Sequence, residues 1–248
     1  KSNAEILITP ELSICGYPPE DLLLNKDFIK ECNDALLSIA KKFPRLKIIV
    51  GHPRSLNGEL FNSASILYRG KIDLSYDKQI LPNYGVFDEK RYFQSGDKTL
   101  TFTHNSRKFG LLICEDIWVE GPIEKLSNVD YIICINASPY EIDKYETRIK
   151  ELKKRVSLND CTLIYLNLVG GQDDLLFDGG SFIYNNKYGL IDRLEQFKSM
   201  NKIIDIKRVE KVGSLIGLKK LKSPIKILLN GLILALKDYL SKNSIKNV

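Results

Sequence analysis

Three residues of this chain, Glu11, Lys78 and Cys114, have the chemistry and the setting to cleave an amide. Each sits at or just after the end of a short run that reads as a β-strand: Ile6–Ile8 for Glu11, Lys71–Tyr76 for Lys78, and Gly110–Cys114 for Cys114. Strand ends in α/β proteins hold reactive groups rigidly while the loops beyond them admit substrate. Cys114 is the candidate nucleophile. A cysteine near neutrality is only fractionally thiolate and needs a neighbouring base or cation. A carboxylate can take the thiol proton and later deliver it to departing ammonia. A fixed ammonium can stabilise the tetrahedral oxyanion, together with the backbone N–H that follows the nucleophile. Singly, Glu11 also reads as a solvated turn residue, Lys78 as a surface lysine and Cys114 as a packed thiol. Together they form a parts list for amide cleavage. The two histidines, His52 and His104, lie in no segment that suggests a Cys–His site.

The elements that must position these groups follow from the apolar pattern. Pro18-Pro19-Glu20-Asp21 is a good helix entry, and the helix is expected to run to Lys42, with Pro44 ending it. Strands are expected at Leu46–Val50, Phe61–Tyr68 and Lys71–Tyr76, the last two joined by an Arg69-Gly70 turn. Further strands are expected at Leu100–Phe102, Gly110–Cys114, Tyr131–Ile135, Thr162–Asn167, Ser181–Tyr184, Leu190–Asp192 and Ile203–Ile206. Helices fit Pro122–Ser127 and Glu141–Leu158, and Pro82–Gly96 is a long aromatic-rich segment of the kind that tends to be functional. Hairpins mixed with strand–helix–strand units indicate an α/β fold with helices outside a mixed sheet; a two-sheet sandwich and a single sheet both satisfy it. Residues 1–207 read as one domain and 208–223 as a basic linker. Residues 224–248 read as the start of a second domain, with Ile225, Leu228, Leu232, Leu236 and Leu240 on one helical stripe.

Composition narrows the classes. The chain has 248 residues, 44% hydrophobic and 27% charged, which suits one large soluble domain and part of another. Its five cysteines show no C-x-x-C spacing and no histidine at ligand distance, against a disulfide framework or a structural zinc site and in favour of a reducing, cytoplasmic compartment. No signal peptide is visible, and the apolar run near Ile227–Leu236 is short of the roughly 20 residues a bilayer span needs. The net charge of +6 is uneven: from Lys198 onward twelve basic residues face three acids. Tyr239 is the one aromatic there, which argues against nucleic-acid binding.

Four ordered segments carry a resemblance to a known family. Pro10–Leu22, containing Gly16-Tyr17-Pro18-Pro19-Glu20-Asp21, is similar to the first signature of the nitrilase (carbon–nitrogen hydrolase) superfamily. More narrowly it resembles the glutaminase domain of glutamine-dependent NAD synthetases. Lys78–Glu89 and Ile113–Trp118 resemble the second and third signatures, and Gly170–Ser181 resembles a segment characteristic of the synthetase branch.

The resemblance implies an α-β-β-α sandwich. It implies Glu11 as general base, Lys78 as oxyanion stabiliser, Cys114 as thioester-forming nucleophile and Glu89 as support for the lysine and substrate. It places Tyr84, Ser138 and Lys144 around glutamine, gives Glu115 an oxyanion N–H, and makes Tyr17 and Trp118 pocket walls. The family's first strand, before Ile6, is missing, and the last helix resembles the first helix of the ATP-dependent synthetase domain. The chain thus reads as a glutaminase domain cut at both ends, with no cofactor of its own. It would hydrolyse L-glutamine and supply ammonia for amidation of deamido-NAD to NAD, using ATP and Mg in the missing domain, as a homo-oligomer. A stand-alone amidase or nitrilase of the same superfamily, or a non-catalytic assembly domain, are the competing readings.

Overall fold

The computed structural model describes residues 3–157, 159–212 and 223–247. The first sheet joins β1 (Ile6–Ile8), β2 (Lys47–Leu56), β3 (Glu59–Tyr68) and β4 (Lys71–Asp77) in that order. β1 runs parallel to β2 and pairs only with Lys47–Ile49, while β2, β3 and β4 form antiparallel hairpins. β2 continues past the expected stop at Val50 because its pairing with β3 runs on to Leu56, with the loop after β1 bonded to its other edge at Gly51. Asn57-Gly58 and Arg69-Gly70 turn the two hairpins with positive φ at all four residues.

The second sheet contains β5 (Leu100–His104), β6 (Arg107–Ile113), β7 (Tyr131–Asn136), β8 (Thr162–Asn167), β11 (Phe182–Asn185) and β12 (Gly189–Arg193). Its order is β12-β11-β8-β7-β6-β5, with β6, β7 and β8 parallel. These central strands are nearly continuous apolar runs because both faces are covered. β9 (Val169–Gln172) and β10 (Leu175–Asp178) form a separate hairpin.

The sheets pack face to face. Ile49, Ala64, Ile66 and Tyr76 of the first share one core with Leu111, Ile113, Ile133, Ile135 and Leu163 of the second. Each fully buried aliphatic side chain contributes about 1.5–3 kcal/mol. α1 (Lys26–Lys42) seats Leu36 and Ala40 on Ile48, Val50 and Leu67 of the first sheet. α2 (Lys144–Ser157) adds Leu152 and Val156 to the core on the side of the second. The result is the α-β-β-α sandwich.

Three elements differ from expectation. The helix entry at Pro18 gives a 3-10 turn, Glu20–Leu24, and α1 starts afresh at Lys26, where the Asn25 side chain caps the N–H groups of Asp27 and Phe28 at 2.9 and 3.3 Å. Pro122–Ser127 is a set of turns held by an Ile123–Leu126 backbone bond, too short to repay helix nucleation. Ile203–Ile206 is not a strand: the Asp205 carboxylate accepts from the N–H groups of Lys207 and Arg208 and starts α3 (Ile206–Val212). α3 occupies the front of the expected linker and is packed, with Val209 against Ile183 and Ile191 and Glu210 paired to Arg107. Residues 213–222 of that linker lie outside the described residues.

α4 (Pro224–Lys242) docks on the β9–β10 hairpin. Gly231 faces Phe197 and Leu176, Asp238 accepts from the Gly171 N–H at 2.8 Å, and Lys242 donates to the Gln172 side chain at 2.7 Å. Ile225, Leu229, Leu232 and Leu236 remain exposed, so the stripe is only partly partnered. Among the described residues no helix is long and apolar enough to cross a membrane.

The Glu11 loop lies directly on Gly51. A Cβ there would meet the Pro10 oxygen at 2.4 Å and the Leu12 nitrogen at 2.5 Å, both backbone atoms. Gly51→Ala is therefore expected to cost roughly 1–3 kcal/mol of stability and to move Glu11. Thermal unfolding checks the first effect, and an unchanged midpoint would contradict so close an approach.

Candidate active site

Glu11, Lys78 and Glu89 come from three segments and meet in the buried interior. Lys78 directly follows β4, where its N–H donates to the Asn62 carbonyl at 2.9 Å. Its ammonium donates to Glu11 Oε1 at 2.8 Å and to Glu89 Oε1 at 2.7 Å. Asn62 Nδ2 also donates to Glu11 Oε1, at 2.8 Å, and the Ala137 N–H donates to Glu11 Oε2 at 2.8 Å. Tyr17 donates its O–H to Glu89 Oε1 at 2.8 Å. Burial alone would lower the Lys78 pKa, but the charges of Glu11 and Glu89 outweigh it and hold the pKa well above the usual lysine range. Burial, opposed by Lys78 and assisted by Glu11, pushes the Glu89 carboxyl up to about 7.

Cys114 directly follows β6 and begins a 3-10 turn, Cys114–Ile117, with φ of +45°. That left-handed conformation is unusual for a non-glycine residue and marks a sharp, strained turn. Burial and the Glu11 charge drive its thiol pKa up, with Lys78 acting the other way, so the resting group is a neutral thiol. Register explains the meeting: Ile113 pairs with Ile135 on the neighbouring parallel strand, and Ala137, just beyond that strand, holds Glu11.

The remaining expected residues divide. Tyr17 packs edge-on against Phe87 and Phe177, at 6.4 and 6.1 Å between ring centroids. With Glu89 it borders a cavity of about 200 Å³ between Tyr17–Leu23 and Val86–Phe93. Tyr84 and Glu115 meet each other near the surface, the phenol donating to both carboxylate oxygens at 3.0 and 3.1 Å. Ser138 is buried, its N–H donating to Asn167 Oδ1 at 2.9 Å. Lys144 starts α2 and pairs with Glu141, and Trp118 packs on the sandwich core with its carbonyl accepting from Arg155. Neither is hydrogen-bonded to the Glu11–Lys78–Glu89 group among the described residues.

Several participants escaped the sequence reading. Asn62 reads as an ordinary strand residue beside two other polar side chains, Ser63 and Ser65, and nothing local singles it out. Asp116 was overshadowed by Glu115, although a second acid beside a candidate nucleophile is itself a signal. Arg148 and Asp178 form a fully buried pair at 3.2 Å, and Asp178 also accepts from Asn167 at 3.2 Å. That network stands behind the Ser138 loop, and nothing in the spacing of its members announces it.

The sequence pattern of the carbon-nitrogen hydrolase family matches residues 1–210. The chain belongs to the carbon–nitrogen hydrolase family. It is 38% identical over 255 residues to the glutamine-dependent NAD(+) synthetase of Acinetobacter baylyi, covering 100% of this chain and 46% of that protein. It is 42% identical over 200 residues to the Aquifex aeolicus enzyme of the same name, covering 79% of this chain and 35% of that one. A solved structure of glutamine-dependent NAD+ synthetase from Acinetobacter baumannii superposes with a TM-score of 0.89 at 34% identity, covering 96% of this chain and 46% of that one. An amidase from Nesterenkonia sp., 24% identical with a TM-score of 0.67 over 78% of this chain and 74% of its own, shares the fold. The chain thus spans about half the length of the relatives it matches over its full extent.

The raised Glu89 pKa has a thermodynamic consequence. Between its ordinary value of 4.5 and about 7, the folded state binds this proton more tightly than the unfolded state. Stability from this group is therefore greatest at the acid end and falls as pH rises through that window. Glu89→Gln, which keeps an acceptor for Lys78, should flatten the decline in the unfolding free energy between those limits. Identical slopes for parent and variant in urea titrations across the window would contradict the assignment.

Proposed function

We propose that this chain is the glutamine-hydrolysing part of a glutamine-dependent NAD synthetase. In this reading ammonia released here would amidate deamido-NAD in a part of the protein that uses ATP and Mg. The observation that carries the reading is the buried Lys78 ammonium bound to both Glu11 and Glu89 beside the Cys114 thiol. The identity to synthetases along the whole chain supports glutamine over a simple amide or nitrile. The five free thiols fit a reducing compartment such as the cytoplasm.

The chemistry follows from the charges. Cys114 stays protonated until a carbonyl carbon is in reach. Glu11 takes the thiol proton as sulfur attacks the side-chain carboxamide of glutamine. Lys78 has three N–H bonds, two committed to carboxylates, which leaves one for the oxyanion together with the N–H of Glu115. Collapse returns the proton from Glu11 to the leaving nitrogen, releasing ammonia and a γ-glutamyl thioester. Water then attacks, Glu11 takes its proton, and glutamate leaves as the thiol re-forms. Two buried acceptors, Glu89 Oε2 and Asn62 Oδ1, have no protein donor among the described residues. They offer partners to the N–H₂ of a carboxamide, which a nitrile lacks. Tyr84, Ser138, Lys144 and Glu115 are the candidates to hold the amino-acid end, with Tyr17 and Trp118 as walls.

Cys114→Ala should abolish ammonia release from glutamine while the unfolding midpoint stays close to the parent's; release at the parental rate would refute the nucleophile. Glu11→Gln and Lys78→Met should fail differently. The first loses the base, so raising pH restores part of the acylation rate by supplying thiolate. The second loses an oxyanion donor, worth about 10²–10³ in kcat, which higher pH does not restore. Acylation rates with the same pH-dependence in both variants would overturn this division of roles.

A further inference from the structure

Asp116 lies two residues past Cys114, fully buried, and the roles above leave it without a task. Its carboxylate is saturated by donors from two separate segments. Oδ1 accepts from the N–H groups of Gln79 and Ile80 at 3.0 and 2.8 Å, directly after Lys78. Oδ2 accepts from the Ile113 N–H at 3.2 Å, directly before Cys114, and from the Tyr76 O–H at 2.8 Å, two residues before Lys78. Four donors match the roughly four lone-pair sites of an ionised carboxylate.

We propose that Asp116 is a positioning residue for the reaction, whose carboxylate ties the strained Cys114 turn to the Lys78 segment and so sets the separation between nucleophile and oxyanion-stabilising ammonium. The proposal takes its substrate from the glutaminase reading, but its geometry does not depend on that reading. No other hydrogen bond among the described residues joins residues 113–117 to residues 76–80. Without it the two strand ends, in different sheets, would be linked through the Tyr84–Glu115 bonds near the surface and through Glu11, which bridges Lys78 and the Ala137 N–H, rather than directly.

The ionised form is the one that fits. Burial raises the Asp116 carboxyl to about 6, against the N–H of Ile80, the Lys78 charge, the Tyr76 hydroxyl and the Ile113 N–H, all of which favour the anion. Cys134 on β7 also faces it, as a thiol that burial and Asp116 keep protonated. Below about pH 6 the added proton puts an O–H where an acceptor is needed, and the tie loosens.

Asp116→Asn tests this, because the amide keeps the shape but its N–H₂ cannot accept from Ile113 and Tyr76. Three readouts on the full chain are needed: kcat and KM for glutamine against pH, the rate of Cys114 alkylation by iodoacetamide mapped by mass spectrometry, and the thermal midpoint. The expected result is a fall in kcat of at least about tenfold with KM nearly unchanged. Slower Cys114 alkylation and loss of the parental acid limb near pH 6 should accompany it. Parental kcat with the acid limb intact would overturn the proposal. So would a fall in kcat fully accounted for by the fraction unfolded at the assay temperature. Alkylation needs no glutamine, so a parent that alkylates at Cys114 yet releases no ammonia refutes the glutaminase reading while the alkylation rates still decide the role of Asp116.

Discussion

A single ammonium buried between two carboxylates is the interaction on which this molecule is arranged. Removing Lys78, Glu11 and Glu89 from water costs several kcal/mol per ion, and only close mutual hydrogen bonds offset that cost. The fold meets the requirement by bringing three chain segments to one point. One leaves β1, one leaves β4, and one is the aromatic-rich loop carrying Glu89. Asn62, Ala137 and Tyr17 donate further hydrogen bonds to these carboxylates, while Glu89 Oε2 has no protein donor among the described residues.

The same arrangement decides the chemistry. A lysine held cationic by two acids cannot serve as the base, so in the proposed mechanism proton transfer is assigned to Glu11. Glu89, with its pKa raised to about 7, contributes less negative charge near neutrality than an ordinary carboxylate, which in the proposed mechanism would leave Lys78 better able to attract a developing oxyanion. Cys114 sits in a low-dielectric setting where these charges act strongly but its own thiolate is disfavoured. In the proposed mechanism the Cys114 thiol therefore gives up its proton only as substrate is attacked.

What was legible in the sequence follows range and periodicity. Glu11, Lys78 and Cys114 could be singled out because each lies at or just after the end of a run with strand character and their side chains together suit amide cleavage, with the signature segments around them pointing the same way. That β6, β7 and β8 are buried central strands could be read from residues that are apolar without alternation, whereas the two-sheet sandwich comes from the family resemblance. Asn62 and Asp116 could not, because their value lies in partners 51 and 36 to 40 residues away that only the three-dimensional pairing supplies. The missed start of α3 has a local cause: Ile203 and Ile204 suggest a strand until the Asp205 cap turns the backbone into a helix. The short segment Pro122–Ser127 shows the converse, helical spacing of Ile123 and Leu126 over too few residues to sustain a helix.

The central claim is that these charges make Cys114, and no other of the five thiols, the carrier of an acyl intermediate. Rapid acid quenching of the chain during glutamine turnover, followed by peptide mass mapping, tests it directly. The account predicts a hydroxylamine-sensitive γ-glutamyl group on the peptide containing Cys114, with Cys15, Cys32, Cys134 and Cys161 unmodified. Steady ammonia release with no adduct at Cys114, or an adduct on another cysteine, would contradict it.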